Sequence, residues 1–265
     1  MKYGAIPSGY DARDYKLVYT ATNADFPAEF ELNMRAIKNQ GSVGSCVAHA
    51  LASIIEYYNH TQIGSDIPMS VGYIYGNRTT SLYQGKGMVV RDALAAVRKY
   101  GDVEHSLFPH NKEVPLAIQL FEGQVDDLFD KGYPNRISQY TRVTNKNAIK
   151  SAIMAGNPVL ILITWYSDMK VVDDVLITNY TGDVGGHCMV IYGWDERGWK
   201  VQNSWGNNWG NNGCVIIPYD FKFDECWIVS DNIIDNTEVK KPFSSKLGQI
   251  VAKIINKIVN LFKKK

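Results

Sequence analysis

Lys38-Asn-Gln-Gly-Ser-Val-Gly-Ser-Cys-Val-Ala-His-Ala-Leu-Ala-Ser-Ile-Ile-Glu-Tyr-Tyr58 is the stretch on which the fold turns. Its second half carries Val47, Ala50, Leu51, Ile54, Ile55 and Tyr58, apolar residues three and four apart, which predict one buried face of a helix running from about Ser45 to Tyr58. Its first half is short and flexible, with Gly41 and Gly44 able to turn sharply or to let the backbone pass close to a ligand. Cys46 therefore falls at a helix N-terminus, where unpaired N–H groups and a partial positive charge favour a thiolate. Taken alone, a cysteine on a core helix is more often structural than reactive.

Further along the chain, Val89 to Tyr100 reads as a second helix closed by Gly101, Val114 to Asp130 as a third, and the stretch from Thr144 or Asn145 to Gly156 as a fourth. Then the period changes. Pro158 to Thr164, Cys188 to Trp194, Trp199 to Asn203, Cys214 to Pro218 and Cys226 to Val229 read as strands, separated by Gly, Asn and Asp. Helices first and strands second predict an α+β fold of two lobes, with a cleft between them as the natural place for a site. Residues 1–28 read as an irregular N-terminal extension, 29–231 as the folded domain, 232–245 as a polar linker and 246–265 as a basic amphipathic helix.

The composition fits one globular unit: 265 residues, 45% hydrophobic and 21% charged. A net charge of +1 points away from a nucleic-acid partner, although six lysines lie in the last twenty residues and leave about −5 on the remainder. No apolar leader and no run long enough to span a membrane is seen, which favours a cytoplasmic location. Four cysteines without a CxxC pair predict free thiols rather than a zinc site, with a Cys214–Cys226 bridge allowed but not demanded. No metal or cofactor is expected, and the chain is expected to be a monomer.

Two further segments bear on chemistry. His187 follows Gly185-Gly186 and is expected to open a strand, with its ring facing a cleft and Cys188 turned to the opposite, core side. Asn203 ends the next strand and leads into Ser204-Trp205-Gly206-Asn207-Asn208-Trp209-Gly210. Its amide can accept from the far nitrogen of a histidine and set the tautomer, and Trp205 can shield that bond from water. An aromatic-stabilised loop, or a carbohydrate patch, is the plainer alternative. Gln40 lies six residues before Cys46 and offers amide N–H groups to an oxyanion. Gln, Cys, His and Asn together form a template for nucleophilic catalysis, with a base oriented by a third group.

Three segments carry a family resemblance. Lys38 to His49 is similar to the active-site segment of the papain family of cysteine peptidases, Gly186 to Trp194 to its histidine segment, and Trp199 to Gly210 to its asparagine segment. The resemblance spans residues 27 to about 230 and implies a papain-like fold: a helical N-terminal lobe, an antiparallel β-barrel-like C-terminal lobe, and the site in the cleft between them. It implies Cys46 as nucleophile, His187 as general base and acid, Asn203 as its orienter, Gln40 with the Cys46 backbone N–H as oxyanion hole, and Trp205 as shield. It also implies a substrate-backbone segment, for which Gly85 and Gly87 are the candidates, although an ordinary loop explains them equally well. The implied activity is endopeptidase hydrolysis of a peptide or protein substrate through a thioester. A transpeptidase or ligase uses the same thioester, and a silent binding protein of the same fold is the reading from another class. Val43 and Val47 stand where secreted members often carry a disulfide cysteine and a tryptophan, and 1–28 is short for the usual propeptide, which suits a microbial or viral-type branch.

The C-terminal helix has Leu247, Ile250, Val251, Ile254, Ile255, Ile258 and Phe262 on one face and lysines elsewhere. That pattern suits an anionic membrane surface or a protein partner, or else docking on the chain's own surface. Co-sedimentation with anionic liposomes, with and without residues 246–265, separates these: loss of binding on truncation marks a surface anchor, and equal, negligible binding assigns the helix to self-docking.

Overall fold

Helix α1 (Cys46–Ile63) begins directly at Cys46 and ends at Gly64, whose φ of 67° lets its N–H reach His60 O at 2.9 Å. Every residue from Cys46 to Tyr58 is buried. The single apolar face expected from the spacing is thus a helix enclosed on all sides, because Ala48, Ala52 and Ser53 are small enough to be packed over where a polar face would otherwise be solvated. The structure is a computed structural model in which residues 3–9, 11, 14, 26–78, 87–109 and 128–231 are described.

Two more helices flank α1. In α2 (Val71–Gly76) the Ser70 side chain accepts from Tyr73 N at 2.9 Å, an N-cap the sequence reading passed over. In α3 (Val90–Tyr100) Val90, Ala93, Leu94 and Val97 form the buried stripe, and Gly101 follows at φ 70° as expected. Of the helix expected over Val114 to Asp130, residues 110–127 lie outside the described residues, and its end falls in the short helix Leu128–Gly132. Helix Lys146–Met154 starts where predicted, with Asn145 accepting from Ala148 N at 2.7 Å. Gly85 and the segment 232–265, with the linker and the basic helix, also lie outside the described residues.

Numbered in chain order, the strands are β1 (Ala5–Ile6), β2 (Phe30–Glu31), β3 (Met88–Val89), β4 (Gln139–Arg142), β5 (Val159–Tyr166), β6 (Lys170–Val172), β7 (Val175–Ile177), β8 (Val184–Trp194), β9 (Gly198–Gln202), β10 (Cys214–Pro218) and β11 (Glu225–Ser230). The main sheet runs β4-β11-β5-β8-β9-β10-β7-β6, with β2 added against the end of β8. Its pairs are antiparallel except β10 with β7, and no pairing closes it into a barrel among the described residues. Helix α1 packs on β8, so the helical half and the sheet meet along that line and the α+β, papain-like arrangement stands.

Two expectations are corrected here. His187 does not open its strand. β8 starts three residues earlier, and His187 pairs with Ile163 of β5 in mid-ladder. Gly185-Gly186, read as the approach to the strand, lies within it, on a stretch that another backbone approaches closely, since a Cβ on Gly186 would lie 1.9 Å from Ala5 O. The N-terminal extension is also not wholly irregular, because Ala5–Ile6 forms a parallel pair with Met88–Val89.

A buried ion pair ties the Gln40 loop to α1: Lys38 Nζ stands 2.5 Å from Glu56 Oε1, which also accepts from Met69 N at 2.7 Å. Removing one partner of such a pair leaves an uncompensated buried charge. Glu56→Ala is therefore expected to lower unfolding free energy by about 3 kcal/mol, measured by urea titration.

Candidate active site

Three elements bring the predicted residues together. The start of α1 supplies Cys46, β8 supplies His187, and the turn after β9 supplies Asn203. His187 Nε2 meets Asn203 Oδ1 at 2.8 Å in a fully buried contact. With Oδ1 as an acceptor, Nε2 carries the proton, and Nδ1 is left as the nitrogen that can take one up. Nδ1 is buried and has no hydrogen-bond partner. Trp205 stacks on the imidazole at 4.5 Å between ring centres and 27° between planes. Trp165 meets both rings edge-on, at 5.6 Å from His187 and 4.6 Å from Trp205. The histidine thus has an aromatic wall as well as an orienting amide.

Gln40, in the loop before α1, has both ends of its amide engaged. Nε2 donates to Val43 O at 2.8 Å, and Oε1 accepts from Ser204 Oγ at 2.7 Å. Its backbone N–H donates to Ser204 O at 2.9 Å, tying the loop before α1 to the turn after β9. The backbone N–H groups of Cys188, Gly4 and Val47, and that of Cys46 itself, are directed at the Cys46 sulfur.

The contribution of Gly4 has no counterpart in the sequence reading. Residues 3–9 run as a strap across the site. Gly4 N donates to Gly186 O at 3.1 Å on one wall, and Met88 N donates to Gly4 O at 2.8 Å on the other. The passage admits no side chain: a Cβ on Gly4 would lie 1.9 Å from Gly44 O, and one on Gly87 would lie 2.4 Å from Gly4 O. Tyr3 packs against Gly185 and sets its ring edge-on to His187 at 6.5 Å. Farther along, Glu225, buried in the sheet, accepts from the Ser8 backbone N–H, from Ser8 Oγ at 3.0 Å and from Trp227 Nε1 at 2.8 Å. Arg91 grips the same segment, reaching Gly9 O at 2.6 Å and both carboxylate oxygens of Asp14 at 2.8 and 2.7 Å. Arg142 stands 3.4 Å from Asp14.

Beneath the strap, Cys46 and His187 are both 0% exposed. That reverses the electrostatic expectation. Burial pushes the Cys46 thiol up to about 11, against the pull of the four N–H groups. It pushes His187 down to about 4, against the Asn203 hydrogen bond. In this state both groups are neutral at pH 7, and the depressed thiol expected from the helix N-terminus is not realised, because the desolvation of an enclosed sulfur outweighs its N–H contacts. Cys46, Cys188, Cys214 and Cys226 are all free, so the allowed Cys214–Cys226 bridge is not formed. Cys188 is buried, and its backbone N–H favours the Cys46 thiolate.

Gly87 lies against the strap, but the backbone donor to the strap is Met88 N. Neither Met88 N nor Gly186 O was legible, since a backbone group has no sequence signature. Trp165, inside an apolar strand, reads as core, and Ser204 was only a letter in the asparagine segment. Gly4 did leave a trace: Tyr3-Gly-Ala-Ile-Pro7 is a small, apolar run with turn residues after it. Among the described residues no His, Cys, Asp and Glu cluster could hold a metal ion, and no helix is long and apolar enough to cross a membrane.

This is the site of a cysteine-type peptidase, and the wider comparisons give the family. Residues 21–235 match the profile of the papain family cysteine proteases, and the chain belongs to that family. It is 28% identical over 234 residues to an uncharacterized peptidase C1-like protein, L477, of Acanthamoeba polyphaga mimivirus, covering 75% of this chain and 71% of that one. It is 27% identical to the KDEL-tailed cysteine endopeptidase CEP2 of Arabidopsis thaliana, covering 68% of this chain and half of that one. Among solved structures, xylellain, a cysteine protease from Xylella fastidiosa, superposes with a TM-score of 0.71 at 23% identity, covering 87% of this chain and 96% of that one.

The enclosed imidazole makes stability pH-dependent. His187 has its pKa lowered from 6.5 to about 4, so between those values the unfolded chain binds the extra proton. Its contribution is complete above pH 6.5 and lost as pH falls through 4. Urea unfolding of the wild type is expected to lose about 3 kcal/mol more than His187→Gln between pH 7 and pH 4.

Proposed function

We propose that the chain is a cysteine endopeptidase that hydrolyses peptide bonds through a Cys46 thioester, and that residues 3–9 hold it latent. The observation that carries this reading is the strap itself. An extended polypeptide lies in the cleft and is held at Gly4 by its backbone, by an acceptor on one wall and a donor on the other: Gly186 O and Met88 N. A cleft that offers such groups suits any peptide backbone, whatever its side chains.

We infer that the strap is held rather than cleaved: the Gly4 N–H donates to Gly186 O, and its carbonyl oxygen accepts from Met88 N–H. Once the strap leaves, water reaches Cys46 and His187 and the desolvation that keeps both neutral is relieved. The helix N-terminus and the N–H groups of Cys188 and Val47 then favour the thiolate, with the proton on His187 Nδ1. The thiolate attacks a substrate carbonyl carbon. The oxyanion meets Gln40 Nε2 and the Cys46 N–H, and His187 gives its proton to the leaving amine as the thioester forms. His187 Nδ1 next takes a proton from water, whose oxygen attacks the thioester, and returns it to the departing sulfur. Asn203 keeps the ring's tautomer through both steps, and Trp205 keeps water from their hydrogen bond.

Gly4→Ala tests site and strap together. Its Cβ has no room against Gly44 O, so it expels the strap without shortening the chain. A thiol-directed epoxide with mass mapping is expected to label Cys46 at least about tenfold faster in Gly4→Ala than in wild type, and not at all in Cys46→Ala. Arg91→Ala, which releases Asp14 and Gly9, is expected to shift labelling the same way by less. Peptide-library cleavage should rise in the same order. An unlabelled Cys46 in folded Gly4→Ala would sink the mechanism, and equal labelling of wild type and Gly4→Ala would sink the latency. Transfer of the acyl group to an added amine in preference to water would identify a transpeptidase instead.

A further inference from the structure

We propose that a cavity between residues 31–37 and strands β8, β9 and β10 is a second binding site, one that takes an uncharged peptide unit carrying an apolar side chain. The cavity has a volume of about 420 Å³, within the range of small-molecule sites. None of Gln40, Cys46, His187 and Asn203 lines it. Its strand side is made by Tyr192 of β8, Gln202 at the end of β9 and Cys214 at the start of β10. The facing run is held in place through its backbone, since Leu32 N donates to Tyr192 O at 2.8 Å and Arg35 O accepts from Gln202 Nε2 at 3.0 Å.

Two polar atoms distinguish this cavity from a gap in packing. Gln202 is only 3% exposed. Arg35 O can only accept, so the amide end that meets it is Nε2 and the other end is Oε1. That Oε1 is buried and has no hydrogen-bond partner among the described residues. Arg35 Nε is likewise a buried donor with no partner there, while Nη2 of the same guanidinium is fixed 2.6 Å from Asp66 Oδ1. A buried donor or acceptor left unmet is costly, and a ligand that meets both removes that cost. The charges of the lining are already paired, Glu31 with Lys200 at 2.7 Å and Arg35 with Asp66, so a neutral ligand is favoured over an ionic one. Gln202 Oε1 calls for an N–H and Arg35 Nε for a C=O, the two groups of one peptide unit. Leu32, Met34 and Ile37 supply the apolar lining for its side chain.

Cys214 supplies the readout, because it lines the cavity and is partly exposed where Cys46, Cys188 and Cys226 are buried. The full chain is used as Cys46→Ala, which removes the candidate nucleophile, so the result does not depend on the catalytic reading. The probe is N-acetyl-leucinamide. Cys214 is labelled with methyl methanethiosulfonate and the adduct located by mass mapping. A ligand of this size binds in the millimolar range, so about 10 mM probe is expected to slow labelling about fivefold, and saturably. Free leucine, charged at both ends, should leave the rate within about 1.5-fold. Gln202→Leu removes the acceptor and Arg35→Lys the Nε donor. Each should lose most of the protection, with labelling in the absence of probe within about twofold of the parent. If Gln202→Leu does not fold, Arg35→Lys decides alone. Titration calorimetry should give the same midpoint as labelling, and it decides the matter if Cys214 labels too slowly. Neither protection nor heat from N-acetyl-leucinamide would overturn the site. Equal protection by free leucine would overturn the uncharged peptide class, and undiminished protection in the variants would overturn the assignment to Gln202 and Arg35.

Discussion

The Cys188 backbone N–H directed at the Cys46 sulfur joins the two halves of the molecule at the point where chemistry is proposed. It exists because the start of α1 is packed against β8, and that packing needs a helix start narrow enough to approach a strand. Val43-Gly-Ser45 before the helix and Ala48 and Ala50 within it supply the small residues. Once the helix is seated, much else is placed. His187 lies on the same strand, one residue from the contact, and β9 beside β8 ends one residue before Asn203. Asn39 bridges to Trp205 and Gln40 to Ser204, so the loop before the helix and the turn after β9 are knitted together.

Two opposing electrostatic effects meet at the sulfur. Four N–H groups favour a thiolate there, while complete enclosure favours a thiol, and enclosure wins while the strap is in place. The same enclosure keeps the imidazole neutral. The resting site is therefore an uncharged pair built from residues whose placement suits a charged one. The difference is a layer of backbone only a few residues long. It is anchored by Glu225 on Ser8 and by Arg91 and Arg142 on Asp14, none of which is among the candidate site residues.

Local patterns were the legible part of this chain. Spacing located α1, α3, the helix Lys146–Met154 and the five longer strands to within a few residues, because burial of one stripe or run leaves a period in the sequence. The short pairs β1, β2 and β3, the strand β4 and the hairpin β6-β7 were not legible, since two to four residues are too few to show a period. Their pairing is decided by what lies alongside. Gly185-Gly186 was read as the approach to a strand opening at His187, and only the strap's approach explains why glycine is needed within a continuing strand.

By itself the sequence determined the order and identity of Gln40, Cys46, His187 and Asn203, and the family to which they belong. These depend on residue type and on neighbours a few positions away. Tertiary structure alone decided that Met88 N and Gly186 O form the backbone walls, that Ser204 answers Gln40, and that Gly4 closes the cleft. It also decided the ionisation of Cys46, reversing what the helix start implied. The physical reason is that desolvation sums over everything packed around a group. At this sulfur that sum includes a segment some forty residues earlier in the chain and a strand about one hundred and forty residues later, distances at which a sequence carries no period.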